Sequence, residues 1–115
     1  MSDTKIYIVD QITPKAGEAE SFLKAYMDRY APGAKQRGMT LEFTWVSPPT
    51  WLKDQSNTLF IIWSVPDAKA WWAMSHGGKR NEEVQAWWRD AETMIESRHR
   101  CFLTDVSAVA KLANV

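Results

Sequence analysis

The hydrophobic pattern of four short segments constrains this fold more than any other feature of the sequence. Lys5–Ile12 and Thr58–Val65 carry apolar side chains on both faces, as strands in the middle of a sheet do. Met39–Val46 and Arg98–Asp105 are polar on one face, which is typical of strands at the edges of a sheet. In Met39–Val46 the apolar face is predicted to hold Leu41, Phe43 and Trp45.

Two helical regions separate these strands. Apolar residues recur with helical spacing from Ala19 to Tyr30, and Pro32 is expected to break or restart this helix. A short helix is predicted over Ala68–Ser75, with Asp67 as its cap and an interruption at His76-Gly77-Gly78; Asn81 caps the next helix. The resulting order, βαββαβ, predicts an α+β, ferredoxin-like fold with one four-stranded antiparallel sheet, in which the first and third strands are central.

The second apolar face of the central strands predicts a partner. Helices in this fold cover only one face of the sheet, and large apolar side chains on the other face would remain exposed to water. The simplest cover is a second copy of the chain related by a two-fold axis. We therefore predict a homodimer that buries roughly 2,000 Å² or more, as obligate dimers do.

Composition limits the domain count and the partners. The 115 residues fit one domain, residues 1–115, and 14 Lys and Arg balance 14 Asp and Glu, which argues against nucleic acid or an anionic membrane as partner. The single Cys101 suits a reducing compartment. Neither a signal peptide nor a membrane span is recognisable, so a cytoplasmic location is expected.

Two stretches resemble a known superfamily. Thr13–Leu23 and Phe60–Trp72 are similar to the helix-one entry and the strand-three signature of dimeric α/β-barrel proteins, which include antibiotic-biosynthesis monooxygenases, small polyketide cyclases, haem-degrading monooxygenases and NIPSNAP-type domains. The resemblance implies that two sheets pack into a dimeric α/β barrel and that a ligand pocket lies between helices and sheet. It also implies a histidine after strand three, where this chain has His76. Haem-degrading members have an asparagine on strand one, where this chain offers Asp10 and Gln11.

Seven tryptophans in so short a chain indicate either an aromatic core or an aromatic-lined cavity. The residues predicted to wall a pocket are Trp63, Trp72, Trp88 and Phe22. Ordinary core packing is the alternative for each ring. Trp71 and Trp87 are expected in the core or in dimer contacts, because adjacent helical residues diverge by about 100°.

Four residues are candidates for acid–base chemistry. His76 ends the short helix and can act as a general base, or it is a surface histidine. Tyr26 and Tyr30 face the sheet and can orient a carbonyl or phenolate, or they are core tyrosines. Asp10, on the face of Ile6 and Ile8, must be paired, protonated or solvated.

Further polar residues of the fourth strand bear on metals and anions. Arg98 and Arg100 share one face and are expected to meet a carboxylate or solvent. His99 and Cys101 share the other face and supply only two metal ligands, so no metal is predicted.

These features favour a small cofactor-independent enzyme that acts on an aromatic or polyketide-like small molecule. The reaction would be proton transfer, such as cyclisation, or oxygenation of the substrate. Two alternatives remain open from the sequence: a non-catalytic small-molecule-binding or stress-response module, and a protein that binds or degrades haem through His76.

Overall fold

A computed structural model describes residues 4–113 of the chain. Four antiparallel strands form one sheet in the order β2-β3-β1-β4: β1 (Ile6–Pro14), β2 (Thr40–Ser47), β3 (Thr58–Val65) and β4 (Ile95–Leu103). Strands β1 and β3 are central, as their two apolar faces predict. The element order and the sheet confirm the ferredoxin-like α+β fold.

The helices lie in two groups. Between β1 and β2 the chain forms α1 (Ala19–Ala25), a π-helical segment (Tyr26–Tyr30) and α2 (Ala31–Gln36); between β3 and β4 it forms α3 (Ala68–Arg80) and α4 (Glu82–Glu92). A 3₁₀ turn (Val106–Ala108) and α5 (Val109–Ala113) follow β4. No helix within residues 4–113 is long and apolar enough to cross a membrane.

The first helical region continues past Pro32, by way of a π turn. The N–H of Ala31 donates to the carbonyl of Tyr26, five residues back. Pro32 then lies in the first turn of α2, where a residue without an N–H is tolerated.

Helix α3 also runs further than the sequence indicates, because His76-Gly77-Gly78 does not interrupt it. The predicted caps are present. The side chain of Asp67 accepts from the N–H of Ala70, and that of Asn81 accepts from the N–H groups of Glu83 and Val84.

A β-bulge in β2 overturns the predicted face of that strand. Leu41 pairs with Trp63 on the helix-covered side, but the register shifts after it and Phe43 pairs with Ile62. Because one extra residue reverses the alternation, Phe43 and Trp45 point to the other face. The prediction that they share a face with Leu41 is therefore wrong.

The two faces of the sheet have different surroundings. The helix-covered face supplies the core, which includes Ile8, Leu59, Ile61 and Trp63 packed under Phe22 and Trp87. The opposite face, which we call the open face, carries the alternate side chains of the strands, and several of them are exposed: Tyr7, Val9, Phe43, Trp45, Phe60, Ile62 and Leu103. Phe43 and Trp45 stack with ring centroids 4.6 Å apart and are 46% and 55% exposed. In the single chain the sheet is not closed.

Candidate functional site

A buried ion pair joins the two strands at one end of the core. Asp10 on β1 is directly opposite Arg100 on β4, and its carboxylate is fully buried. Nε of Arg100 donates to Oδ1 at 2.6 Å and Nη2 donates to Oδ2 at 3.0 Å. Of the three states that the sequence leaves open for Asp10, the structure shows the paired one. A buried carboxylate on this face requires such a partner.

The ion pair fixes the charge of Arg100. Burial disfavours the charged guanidinium, but the charge and hydrogen bonds of Asp10, supported by Tyr30, outweigh this and raise the pKa of Arg100 above its ordinary value. Arg100 is therefore a permanent cation beside the core.

Tyr26 extends the pair into the core. Its hydroxyl donates to Oδ2 of Asp10 at 2.8 Å and accepts from Nε1 of Trp63 at 2.7 Å. Burial, and then the charge of Asp10, raise the pKa of Tyr26 well above its ordinary value. The residue is thus a neutral donor that stabilises the carboxylate.

Tyr30 continues the network toward the surface. Its hydroxyl accepts from Nη2 of Arg100 at 2.9 Å, and its ring is 5.0 Å from that of Tyr26. Both tyrosines belong to the π segment, a helix variant that is frequent at functional sites. Because the Tyr30 oxygen accepts the hydrogen bond from Arg100, the proton of the Tyr30 hydroxyl remains available for donation to another group.

Tyr30 borders a cavity of about 520 Å³ between α3, α4 and the edge strand β4. This volume suits a small organic molecule. The aromatic part of the wall is Tyr30, Trp71, Trp88 and Phe102. The rings form two pairs: the ring centroids of Trp88 and Tyr30 are 5.3 Å apart, and those of Trp71 and Phe102 are also 5.3 Å apart.

Cations dominate the polar part of the wall. Five lining residues are basic and one is acidic: Arg37, Lys79, Arg89, Arg98 and Arg100, with Glu92. Cζ of Arg98 lies 3.8 Å from the centre of the Trp88 ring. Such an arrangement favours a flat ligand that carries negative charge.

The structure brings only some of the predicted site residues together. One hydrogen-bonded network, through Arg100, contains Asp10, Tyr26, Tyr30 and Trp63. Tyr30 lines the cavity as well, and so does Trp88, which is not part of the network. Trp63 is fully buried behind it. Phe22 is a core residue against Trp87, with ring centroids 5.7 Å apart.

His76 and Trp72 lie elsewhere on α3. Trp72 is 57% exposed, His76 is also exposed, and their rings are 6.0 Å apart outside the cavity wall. The residues of α3 that line the cavity follow helical spacing: Trp71, Met74, Ser75, Gly78 and Lys79. Trp71 therefore occupies the place that the sequence suggested for Trp72.

Arg37 is a site residue that the sequence analysis missed. It lines the cavity from the end of α2, and its Nε and Nη1 atoms are buried without a hydrogen-bond partner among residues 4–113. The signal that could have revealed it is the pair Gly77-Gly78, which leaves room for a neighbour on α3. In the part of the chain that the structure describes, His, Cys, Asp and Glu form no group of three suited to a metal ion.

Solved structures give the chain its place among known folds. It is similar to a NIPSNAP domain protein from Burkholderia xenovorans, with 19% identity, a TM-score of 0.70 and coverage of 88% of this chain and 94% of that one. A NIPSNAP family protein from Agrobacterium tumefaciens has 12% identity, a TM-score of 0.71 and 91% coverage of both chains. A protein from Nitrosomonas europaea that is named for antibiotic biosynthesis monooxygenases has 11% identity, a TM-score of 0.64 and coverage of 92% and 94%. No family model and no curated protein sequence matches.

Fold and site together define a ferredoxin-like α+β protein with an aromatic, cation-rich cavity between helices and sheet. Its fold is the one shared by NIPSNAP domains and by monooxygenase-like proteins of antibiotic biosynthesis. Because these identities are low, the shared feature is the fold, and function has to be argued from the site.

Proposed function

We propose that this protein is a small enzyme that binds an aromatic or polyketide-like compound in the cavity and stabilises its enolate or phenolate form. The observation that carries the proposal is the Tyr30 hydroxyl, held at the cavity wall by a hydrogen bond from Arg100. Its proton can be donated to a ligand oxygen on which negative charge develops. Donors that are already in position lower the energy of such a charge without reorganisation.

The network behind Tyr30 supports this role. Asp10 holds Arg100 through two hydrogen bonds, so the guanidinium that fixes the Tyr30 oxygen cannot rotate freely. Tyr26 and Trp63 complete the support from the core. A site held in this way favours reactions in which a carbon atom of the ligand loses its proton to solvent water while Tyr30 donates to the developing oxyanion. Such reactions include cyclisation, isomerisation and addition of dioxygen to the resulting carbanion.

Anthrone is a suitable first substrate, since it has a flat aromatic frame, one carbonyl oxygen and an acidic C–H. Exchange of that hydrogen for deuterium reports proton transfer, and oxygen consumption reports oxygenation. We expect the protein to accelerate the exchange and Tyr30→Phe to reduce the acceleration by roughly 10²-fold, the usual contribution of a positioned proton donor or acceptor.

Tyr7→Phe is the matched control, because Tyr7 lies on the open face and does not line the cavity. It should retain the wild-type rate. Tight binding of anthrone with no acceleration of either reaction would instead favour the non-catalytic binding module.

We further propose that a second copy of the chain covers the open face and that the two sheets pack into a dimeric α/β barrel. The apolar side chains exposed there support this, notably Trp45, Phe43 and Leu103. The cavity lies on the helix-covered side, so each subunit would carry its own site.

A further inference from the structure

We propose that Arg37 binds the carboxylate of the ligand, which makes the ligand an aromatic carboxylic acid. This inference rests on the proposed function only in that the cavity takes an aromatic compound. It adds the charge of that compound and the residue that recognises it.

Arg37 has two buried hydrogen-bond donors that find no acceptor among the described residues. Nε and Nη1 are buried and unpaired, and no carboxylate forms an ion pair with Arg37 within residues 4–113. A buried donor without an acceptor is costly, and more so when it is charged. Arg100 differs, because its donors are engaged by Asp10 and Tyr30. Arg37 is thus a half-buried cation of the cavity wall, with two buried donor atoms and no anion opposite them among residues 4–113.

Three glycines make room for this guanidinium between α2 and α3. A Cβ atom added at Gly33 would lie 3.2 Å from Nη1 of Arg37, and one added at Gly77 would lie 3.2 Å from its Cδ. At Gly78 the corresponding distance to Nε is 3.7 Å. The Tyr30 ring supports the other side, with its centre 5.5 Å from Cζ. The surrounding groups hold the cation in place but do not neutralise it.

The lining of the cavity suits a flat acid. A carboxylate fits a single planar guanidinium, whereas the rings of Trp71, Trp88 and Phe102 give the wall apolar area for an aromatic frame. Nε1 of Trp71 is a second buried donor without a partner. It lies two helical turns before Gly78 on the same face of α3, a separation on the order of 10 Å. A carbonyl or hydroxyl remote from the carboxylate can accept from it.

The test uses two probes of equal size, 2-naphthoate and 2-naphthamide, and isothermal titration calorimetry on the full chain. We expect wild-type protein to bind the carboxylate at least about tenfold more tightly than the amide, with a preference that weakens as salt is added. Arg37→Met should remove most of this preference and leave the affinity for the amide within about twofold.

Lys35→Met is the matched control, since Lys35 is an exposed cation of α2 that does not line the cavity. It should keep the preference for the carboxylate. Equal binding of both probes by wild-type protein would overturn the inference while leaving an aromatic cavity, and this measurement requires no variant. A preference that survives in Arg37→Met would also overturn it. Failure of both probes to bind would count against the proposed function itself.

Discussion

Arg100 on β4 faces Asp10 on β1 and donates two hydrogen bonds to its carboxylate, of 2.6 and 3.0 Å, at the boundary between core and cavity. Removing the carboxylate leaves a partly buried cation and the hydroxyl of Tyr26 without their acceptor. We therefore expect Asp10→Ala to lower the free energy of unfolding by about 3–5 kcal/mol, measured by urea denaturation.

Asp90→Ala is the control for this prediction. Asp90 also pairs with an arginine, Arg29, at 2.8 Å, but both side chains are largely exposed. Its loss should cost less than about 1 kcal/mol. Similar losses in the two variants would mean that burial does not distinguish the pairs.

The raised pKa of Tyr26 predicts a loss of stability at high pH. In the unfolded chain a tyrosine loses its proton near pH 10, whereas burial and the charge of Asp10 keep Tyr26 protonated in the folded state. Above about pH 10 the unfolded state therefore binds fewer protons, and the free energy of unfolding falls as pH rises. The contribution of this residue is up to about 1.4 kcal/mol per pH unit.

Urea titrations between pH 9 and 11 measure this slope. Tyr26→Phe should be less stable at neutral pH, because Asp10 and Trp63 lose a partner, but should show a shallower decline. Tyr7→Phe should keep the wild-type slope, since the Tyr7 hydroxyl makes no contact with Asp10. An unchanged slope in Tyr26→Phe would contradict the assignment.

The open face predicts the assembly. Trp45 is 55% exposed in the single chain, so Trp45→Lys should cost the monomer little and should convert the dimer to monomer in sedimentation equilibrium. Trp72 is equally exposed but lies on α3, away from that face, and Trp72→Lys should remain dimeric. A wild-type protein that is monomeric at micromolar concentration would refute the dimer.

Much of this fold could be predicted from the sequence because burial leaves a periodic trace. The two-faced strands β1 and β3 are visible as such, and so are the caps Asp67 and Asn81. The change of face at Phe43 and Trp45 could not be predicted, since a β-bulge shifts the register by one residue and no residue type in the strand signals it. Pro32 and the two glycines at 77 and 78 predicted breaks from local propensity alone. The helices continue through them in the structure, because tertiary packing outweighs that propensity.

The site was harder to predict for a geometric reason. Tyr26, Tyr30 and Asp10 could be selected because polar groups on an apolar face need partners. Arg37 could not, since an arginine reveals its role only through what lies opposite it. For Arg100 the sequence indicated a carboxylate or solvent, and the structure shows the carboxylate of Asp10. The rotation of α3 that places Trp71 at the cavity and Trp72 outside depends on packing, which no local pattern specifies.

His76 provides a test of that rotation. The sequence predicts that it acts as a base, with a loss of roughly 10²-fold in rate for His76→Ala. From its exposed position outside the cavity wall we expect His76→Ala to leave the rate of anthrone exchange and the binding of 2-naphthoate within about twofold. A 10²-fold loss would show that α3 rearranges when a ligand binds.

The π turn at Tyr26–Tyr30 matters for the site more than for the fold, because it carries the two tyrosines that contact Asp10 and Arg100. Such a turn holds one residue more than the same stretch of α-helix, and α1 and α2 both still direct small side chains, Ala19 and Ala34, into the core. Deleting one residue there would leave a continuous helix on the same sheet. It would also withdraw one of the two positions from which the tyrosines reach Asp10 and Arg100. Related chains that differ by a single residue in this stretch should therefore keep the architecture and differ in which side chains reach Asp10 and Arg100.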